Sequence, residues 1–374
     1  MDLLMQQYRL VLGWLRLFFV NHSRWVVALT AVSVGVTACV TEYQPDTLNS
    51  SPALVVEGQI ADQPGPYTVK LTRTADYSYK AVNLLETGAV VSIEDNLGNR
   101  ETLQERAPGG TYQTRVGGIR GVAGRSYKLI IQTKLGRRYV SDAELLRAAP
   151  PVDRAYAEYR PDPLALTTGG SSGWDVYIDT KDPAESGNFY RYEWTHFTSL
   201  TVCSTVIEDQ RTGALHDLPC CTPCWDITRC YDCLNINSDA NVNGKAISRQ
   251  FITRVPFTGK DPYYLEIEQQ AISAGAYQFW KSVRQLTRAN GGLFDAAPAA
   301  VQGNIQCVSD PAQSVYGYFS ATGLTVVPLR VDRRDGRGVP DYQRPAVFRF
   351  PPDPCYACEA SPFRTPVKPR YWAY

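Results

Sequence analysis

The chain has 374 residues, 38 of them Lys or Arg and 37 Asp or Glu, giving a formal net charge of +1. So balanced a chain lacks the basic surface that duplex binding requires, which excludes nucleic acid as a partner. The composition is globular, and 28 Gly, 25 Pro and 23 Tyr favour short strands joined by turns. Its length allows two or three domains, each able to bury a core.

Residues 1–38 read as an export signal. Arg24 precedes an apolar run from Trp25 to Ala38, which ends in the small-residue site Val36-Thr37-Ala38 before Cys39. A second apolar stretch, Leu10 to Val20, is broken by Arg16. Neither run reaches the roughly 18–20 uninterrupted apolar residues of a spanning helix, so a cleaved signal is favoured over a retained membrane helix. A cysteine directly after such a site resembles the lipobox of bacterial lipoproteins, where the thiol is lipidated. Cys39 is therefore the expected lipidation site, and residues 39–52 the expected tether. The anchor would hold the body to a membrane, and two or more acyl chains make such attachment durable.

Residues 53–147 are expected to form an N-terminal β-sandwich. Ala53 to Ile60, Thr68 to Thr72, Ala89 to Asp95 and Gly124 to Ile131 read as strands, with turns at Asn96-Leu97-Gly98-Asn99 and Pro108-Gly109-Gly110. Tyr127, Leu129 and Ile131 share one face, and a Tyr opening such a strand resembles the tyrosine corner of immunoglobulin-like sandwiches. No helical periodicity occurs in this stretch. Ala148-Ala149-Pro150-Pro151 reads as a stiff linker, because two prolines cannot continue a central strand.

Residues 152–343 are expected to form a second β-rich domain, so the fold class is mainly β, two immunoglobulin-like sandwiches in tandem. Trp174 to Asp179, Tyr190 to Phe197, Ser248 to Val255 and Tyr263 to Glu268 read as strands. The aromatic stripe of the second is expected to pack in a core rather than to form a ligand platform. One inserted helix is predicted over residues 274–289. Ser273 is its N-cap, Ala276, Phe279, Trp280, Val283 and Leu286 form its apolar face, and Asn290-Gly291-Gly292 stops it. Residues 344–374 form a Pro-rich, Cys-containing tail.

Nine cysteines follow Cys39: Cys203, Cys220, Cys221, Cys224, Cys230, Cys233, Cys307, Cys355 and Cys358. All are disulfide candidates, since an exported chain meets an oxidising compartment. An odd total leaves at least one free thiol if the rest are bridged. The alternative is a zinc site on Cys221, Cys224, Cys230 and Cys233, whose paired CxxC spacing suits tetrahedral thiolate ligation. The loop between those pairs is shorter than that of usual fingers and ribbons, so zinc is the lesser reading. Bridging Cys355 or Cys358 to the earlier cluster would staple the tail across the second domain.

No catalytic set is legible. HExxH and Walker patterns are absent from the sequence. His196 reads as a packed or edge histidine, and His216 is the other histidine after the signal. Asp175, Asp179 and Asp182 lack the spacing of a calcium loop. The sign-mixed run Arg330 to Gly338 reads as a solvated loop. The expectation is therefore no enzyme and no cofactor, with the ligand unidentified.

Several segments together carry a resemblance. They are Leu54-Val55-Val56-Glu57-Gly58-Gln59-Ile60-x-Asp62, Gly65-Pro66-Tyr67-x-Val69-x-Leu71, Phe189-Tyr190-Arg191-Tyr192-Glu193-Trp194 and Cys224-Trp225-x-Ile227. Ala276-Tyr277-x-Phe279-Trp280-Lys281, Gly291-Gly292-Leu293-Phe294-Asp295, Gly303-Asn304-Ile305, Gly317-Tyr318-Phe319-Ser320 and Cys355-x-x-Cys358 complete them. The chain resembles the Bacteroidota outer-membrane lipoprotein family catalogued as domain of unknown function 4249. The additional cysteines around 220–233 depart from that pattern. The resemblance implies an outer-membrane location, periplasmic or cell-surface facing, and a non-catalytic role as accessory partner of a TonB-dependent receptor. It supplies no catalytic residues. A structural or adhesive envelope protein and a zinc-binding protein are the alternative expectations.

Overall fold

Alternating apolar and polar residues make most of this chain strand. The computed structural model describes residues 52–74, 84–161, 172–200, 206–208, 211–217, 223–230, 234–288, 301–337, 340 and 358–372, all within the unit Ser50–Tyr374. The first half holds β1 (Leu54–Ala61), β2 (Thr68–Arg73), β3 (Leu84–Leu85), β4 (Val90–Asp95), β5 (Arg100–Thr102), β6 (Gln104–Arg106), β7 (Thr111–Gln113), β8 (Ser126–Gln132), β9 (Arg138–Ser141) and β10 (Glu144–Leu145). The second holds β11 (Val152–Arg160), β12 (Gly173–Lys181), β13 (Phe189–Leu200), β14 (Val206–Glu208), β15 (Leu215–Asp217), β16 (Cys224–Arg229), β17 (Asn235–Ser238), β18 (Ala246–Pro256) and β19 (Tyr263–Ile272). Helix α1 (Ala274–Arg288), β20 (Ile305–Cys307), β21 (Val315–Val331) and β22 (Arg364–Thr365) follow. The signal, Cys39 and most of the tether lie outside the described residues, as does the helix stop at Asn290.

The fold is mainly β, in several sheets, and among the described residues one α-helix lies near its predicted place. The predicted turns form where glycine supplies the backbone. Gly98 has φ 84°, and Asp95 Oδ1 accepts from the main-chain N–H groups of Leu97 and Asn99 at 3.0 and 2.9 Å. Tyr127 is buried at the start of β8, and its hydroxyl accepts from Val122 N at 2.8 Å. A phenol bonded to the backbone just upstream is the tyrosine-corner geometry.

Among the described residues two large hydrophobic cores form, with a smaller cluster of Ile272, Ala276 and Tyr318 under the helix. The first gathers Leu54, Val56, Val69, Leu71, Ile93, Leu129 and Ile131 from strands before the linker, together with Ile305, Val315 and Phe319 from beyond it. The second gathers Trp174, Val176, Ile178, Tyr190, Tyr192, Leu265, Ile267 and Val331. The sequence reading ends the first sandwich at residue 147, whereas in space residues 305–321 complete it. The cause is β21, the longest strand among the described residues. Its first part runs parallel to β1, with Leu54 opposite Val315 and Ala61 opposite Thr322, and its later part pairs with β19 from Gly323 to Val331. One sheet, ordered β22-β16-β13-β19-β21-β1-β2-β7-β6, therefore passes both cores. The linker is pinned at this seam. The carbonyl of Pro150 accepts from Gln269 Nε2 at 2.8 Å and Thr325 Oγ1 at 3.1 Å.

The parallel pairing demands glycine at 317. This residue has φ +90°, and a Cβ there would sit 1.9 Å from Val56 O. Gly303 meets the same spot, since its Cβ would lie 1.4 Å from Gly317 O. Replacing Gly317 by Val is expected to destabilise the chain by about 2–4 kcal/mol, through positive-φ strain and loss of the β1 register. Urea unfolding of Gly317→Val checks this; an unchanged midpoint would contradict it.

Candidate binding face

β13 and β19 pair with Arg191 opposite Gln270, Glu193 opposite Glu268, Thr195 opposite Glu266 and Phe197 opposite Tyr264. Side chains alternate along a strand. Tyr190, Tyr192, Leu265 and Ile267 fill the second core, so the polar set lines the opposite face of the same strands. The buried aromatics of β13 pack in the core, and its other face carries a ladder of charges.

Each end of this ladder is covered by rings. At one end α1 lies across it. Ser273 Oγ accepts from Ala276 N at 3.0 Å, the predicted N-cap, and fixes where the helix starts. The helix then sets Tyr277 4.8 Å from Phe189 and places the Trp280 ring 3.9 Å from the Arg191 guanidinium carbon. At the other end, Trp372 stands edge-on to Tyr264 at 4.9 Å and to Trp225 at 6.3 Å.

Between the rings the charges interlock. Arg191 pairs with Glu193, and Gln270 Nε2 donates to Glu193 Oε2 at 2.8 Å. The Tyr264 hydroxyl donates to Glu266 Oε1 at 2.8 Å. Burial, reinforced by the facing Glu193, pushes the Glu268 carboxyl up to about 7. Burial likewise raises Glu266 and lowers Arg191. The face is thus half-buried and near the point of exchanging a proton at neutral pH.

The cysteines resolve in part. Cys224 and Cys358 form a disulfide with Cα atoms 5.6 Å apart, which joins the cluster region to the tail across 134 residues. Cys230 is also disulfide-bonded. With Cys224 and Cys230 oxidised, two of the four sulfurs of the zinc alternative have no thiolate to offer, so that ligand set is not formed here. Among the described residues no group of three His, Cys, Asp or Glu side chains is arranged to hold a metal. Cys307, named above as a disulfide candidate, is instead a free and buried thiol. It lies opposite Tyr139 in the first core and packs there as a small apolar side chain. Cys39, Cys203, Cys220, Cys221, Cys233 and Cys355 lie outside the described residues.

His196 is spent on packing. Its ring stacks on Tyr263 at 3.6 Å, Nδ1 lies 2.6 Å from Tyr264 O and Nε2 2.8 Å from Thr198 Oγ1. Burial holds its pKa down to about 4, so it is neutral at physiological pH. His216 falls in β15, which pairs with β14. The aspartates are spent on structural partners: Asp175 takes Arg254 and Asp179 takes Arg154, the two being linked through Arg160, Glu158 and Arg249, while Asp182 accepts from the Tyr190 hydroxyl. Of the run Arg330 to Gly338, the described residues 330–337 are more than a solvated loop. Arg333 is buried and donates to Asp261 O, Pro256 O and Thr258 Oγ1. Asp335 Oδ1 accepts from Trp174 Nε1 at 3.0 Å.

A second buried polar group had no signal in the sequence. Glu144, in the two-residue β10, accepts from the Tyr318 hydroxyl at 2.6 Å and from Asn304 Nδ2 at 3.3 Å. Asn304 also holds both main-chain groups of Phe319, at 2.8 and 3.0 Å. Phe279 of α1 stacks 5.1 Å from Tyr318. Segments around 276, 304 and 318 thus meet at one point, and burial pushes the Glu144 carboxyl up.

Residues 40–325 match a family described as domain of unknown function (DUF4249), and the chain belongs to that family. No curated protein matches the chain.

Two outcomes follow from this chemistry. The unfolded chain releases the Glu268 proton near 4.5 and the folded chain near 7, so folding retains that proton between those values. Glu268's own contribution to stability therefore falls as pH rises from about 4.5 to about 7, by roughly 2–3 kcal/mol, while His196, held down to about 4, contributes with the opposite sign between about 4 and 6.5. Glu268→Gln should remove this slope and be the more stable chain at pH 7.5, equalling the parent near pH 4; a parallel pH profile would contradict this. Peptide mapping without reduction should recover Cys224 linked to Cys358. Cys307 should react with an alkylating reagent only after denaturation, and labelling in the native state would contradict its burial.

Proposed function

We propose that this member of the family is a lipid-anchored, non-catalytic binding protein of the bacterial outer membrane, acting as an accessory partner of a TonB-dependent receptor. The observation that carries the reading is the charged ladder on β13 and β19, closed at both ends by rings. Aromatic side chains and Arg, here Tyr277, Trp280 and Arg191 at one end and Tyr264, Trp225 and Trp372 at the other, are the groups enriched where macromolecules touch. The histidine on β13 is stacked on Tyr263 as a packed, neutral ring, which suits a binding role.

The anchor rests on Val36-Thr37-Ala38-Cys39 after its apolar run. In this reading attachment falls to the acylated Cys39, and the β-rich body reaches its partner from there. Among the described residues no helix is long and apolar enough to cross a membrane. The second reading is a structural or adhesive envelope protein. It is favoured by the sheet that passes both cores, which would make a stiff spacer.

A tagged chain recovered from solubilised outer membranes should carry label from supplied palmitate and bring down a large β-barrel. Cys39→Ala should lose both the label and the barrel. An acylated chain that brings down no barrel would contradict the receptor role and leave the spacer reading.

A further inference from the structure

The C-terminal strap meets the rest of the domain as a separate peptide would. Residues 358–372 lie beyond the stretch matched to the family, which ends at 325. They close the edge of the largest sheet through β22, with Thr365 opposite Trp225 and Arg364 opposite Asp226. Ile227 N donates to Phe363 O at 2.7 Å, and Arg229 Nη1 to Pro362 O at 2.6 Å. The side chains are read as well. Arg364 Nε donates to Asp226 Oδ1 at 2.7 Å. Glu266 accepts from the main-chain N–H of Tyr371 and lies within the field of Arg370. Trp372 enters the slot between Tyr264 and Trp225.

We infer that the β16 edge, with Asp226, Glu266 and the Trp225–Tyr264 slot, is a strand-docking site for an extended segment bearing a basic residue and an aromatic one, and that the strap fills it in the resting chain. Strand addition takes its affinity from main-chain hydrogen bonds and its specificity from side-chain pockets. A strap that only shielded an edge would need the first alone. Here Arg364 pairs with Asp226, Glu266 takes a main-chain N–H of the strap, and a tryptophan is seated between two rings. The paired stretch is only two residues long, so tethering through Cys224–Cys358 keeps the strap in place by raising its local concentration. The inference rests on the docking role proposed above: the segment it fits belongs to the receptor and takes the strap's place.

The test uses a labelled synthetic peptide spanning residues 359–372, titrated by fluorescence anisotropy into full-length protein. The oxidised parent should bind it at least tenfold more weakly than Arg364→Ala/Trp372→Ala, whose own strap is weakened while the disulfide remains. Adding Asp226→Lys to that double variant should cost a further tenfold or more. Circular dichroism and melting confirm that each variant is folded, and Cys358→Ser serves as a second unlatched chain. Folded, unlatched chains that bind the peptide no better than the parent would overturn the inference. So would an Asp226→Lys variant that binds as tightly as its background. Peptide binding is scored apart from barrel capture. Binding without a captured barrel upholds the docking site and rejects the receptor, whereas a captured barrel without peptide binding rejects the docking site alone.

Discussion

The parallel pairing of β1 with β21 is the constraint on which the other features depend. Eight residues of β1, Leu54 to Ala61, lie beside Val315 to Thr322. A parallel neighbour cannot be reached by a tight turn, and here the two strands lie more than 250 residues apart in the sequence. The second half of the chain must therefore return to the first before either core is complete. Ile305, Val315 and Phe319 fill the first core, while Val331, at the far end of the same strand, fills the second. The two sandwiches share a strand, and with it a sheet.

That shared strand also positions the charged face. β19 lies beside β21, and β13 beside β19, so the register of the ladder follows from the strand that joins the cores. Tyr318, on the same strand, reaches Glu144 and stacks with Phe279, which seats α1 at one end of the ladder. At the other end the strap is held by charge, by rings and by one disulfide. Burying carboxylates opposite one another costs stability. Burial first, and then the facing Glu193, make Glu268 hold its proton well above the ordinary range.

Much of the fold was legible in the sequence, for physical reasons that differ by element. The strands of β1, β2, β8, β12, β13 and β19 show period-two alternation because one face of each meets a core. Helix α1 was legible from Ser273 and its apolar spacing. β21 was not, because Gly317, Gly323 and Pro328 interrupt its pattern and its partner lies at the opposite end of the chain. β22 is two residues in a Pro-rich tail and carries no period at all. The candidate face was hidden for a related reason. Glu193, Glu266 and Glu268 look like the solvated side of strands until register sets them opposite one another. Arg333 and Glu144 likewise became visible only through burial. Cysteine count and compartment chemistry pointed to disulfides, but only the fold selects Cys224 for Cys358 and seals Cys307 in a core.

The central claim is that the two cores form one cooperative body through a shared strand. Hydrogen exchange followed residue by residue across a denaturant series tests it most directly. Amides of Leu129 and Ile131 in the first core and of Leu265 and Ile267 in the second should lose protection together, with one common free energy of opening. Protection lost first in one core while the other stays closed would contradict it.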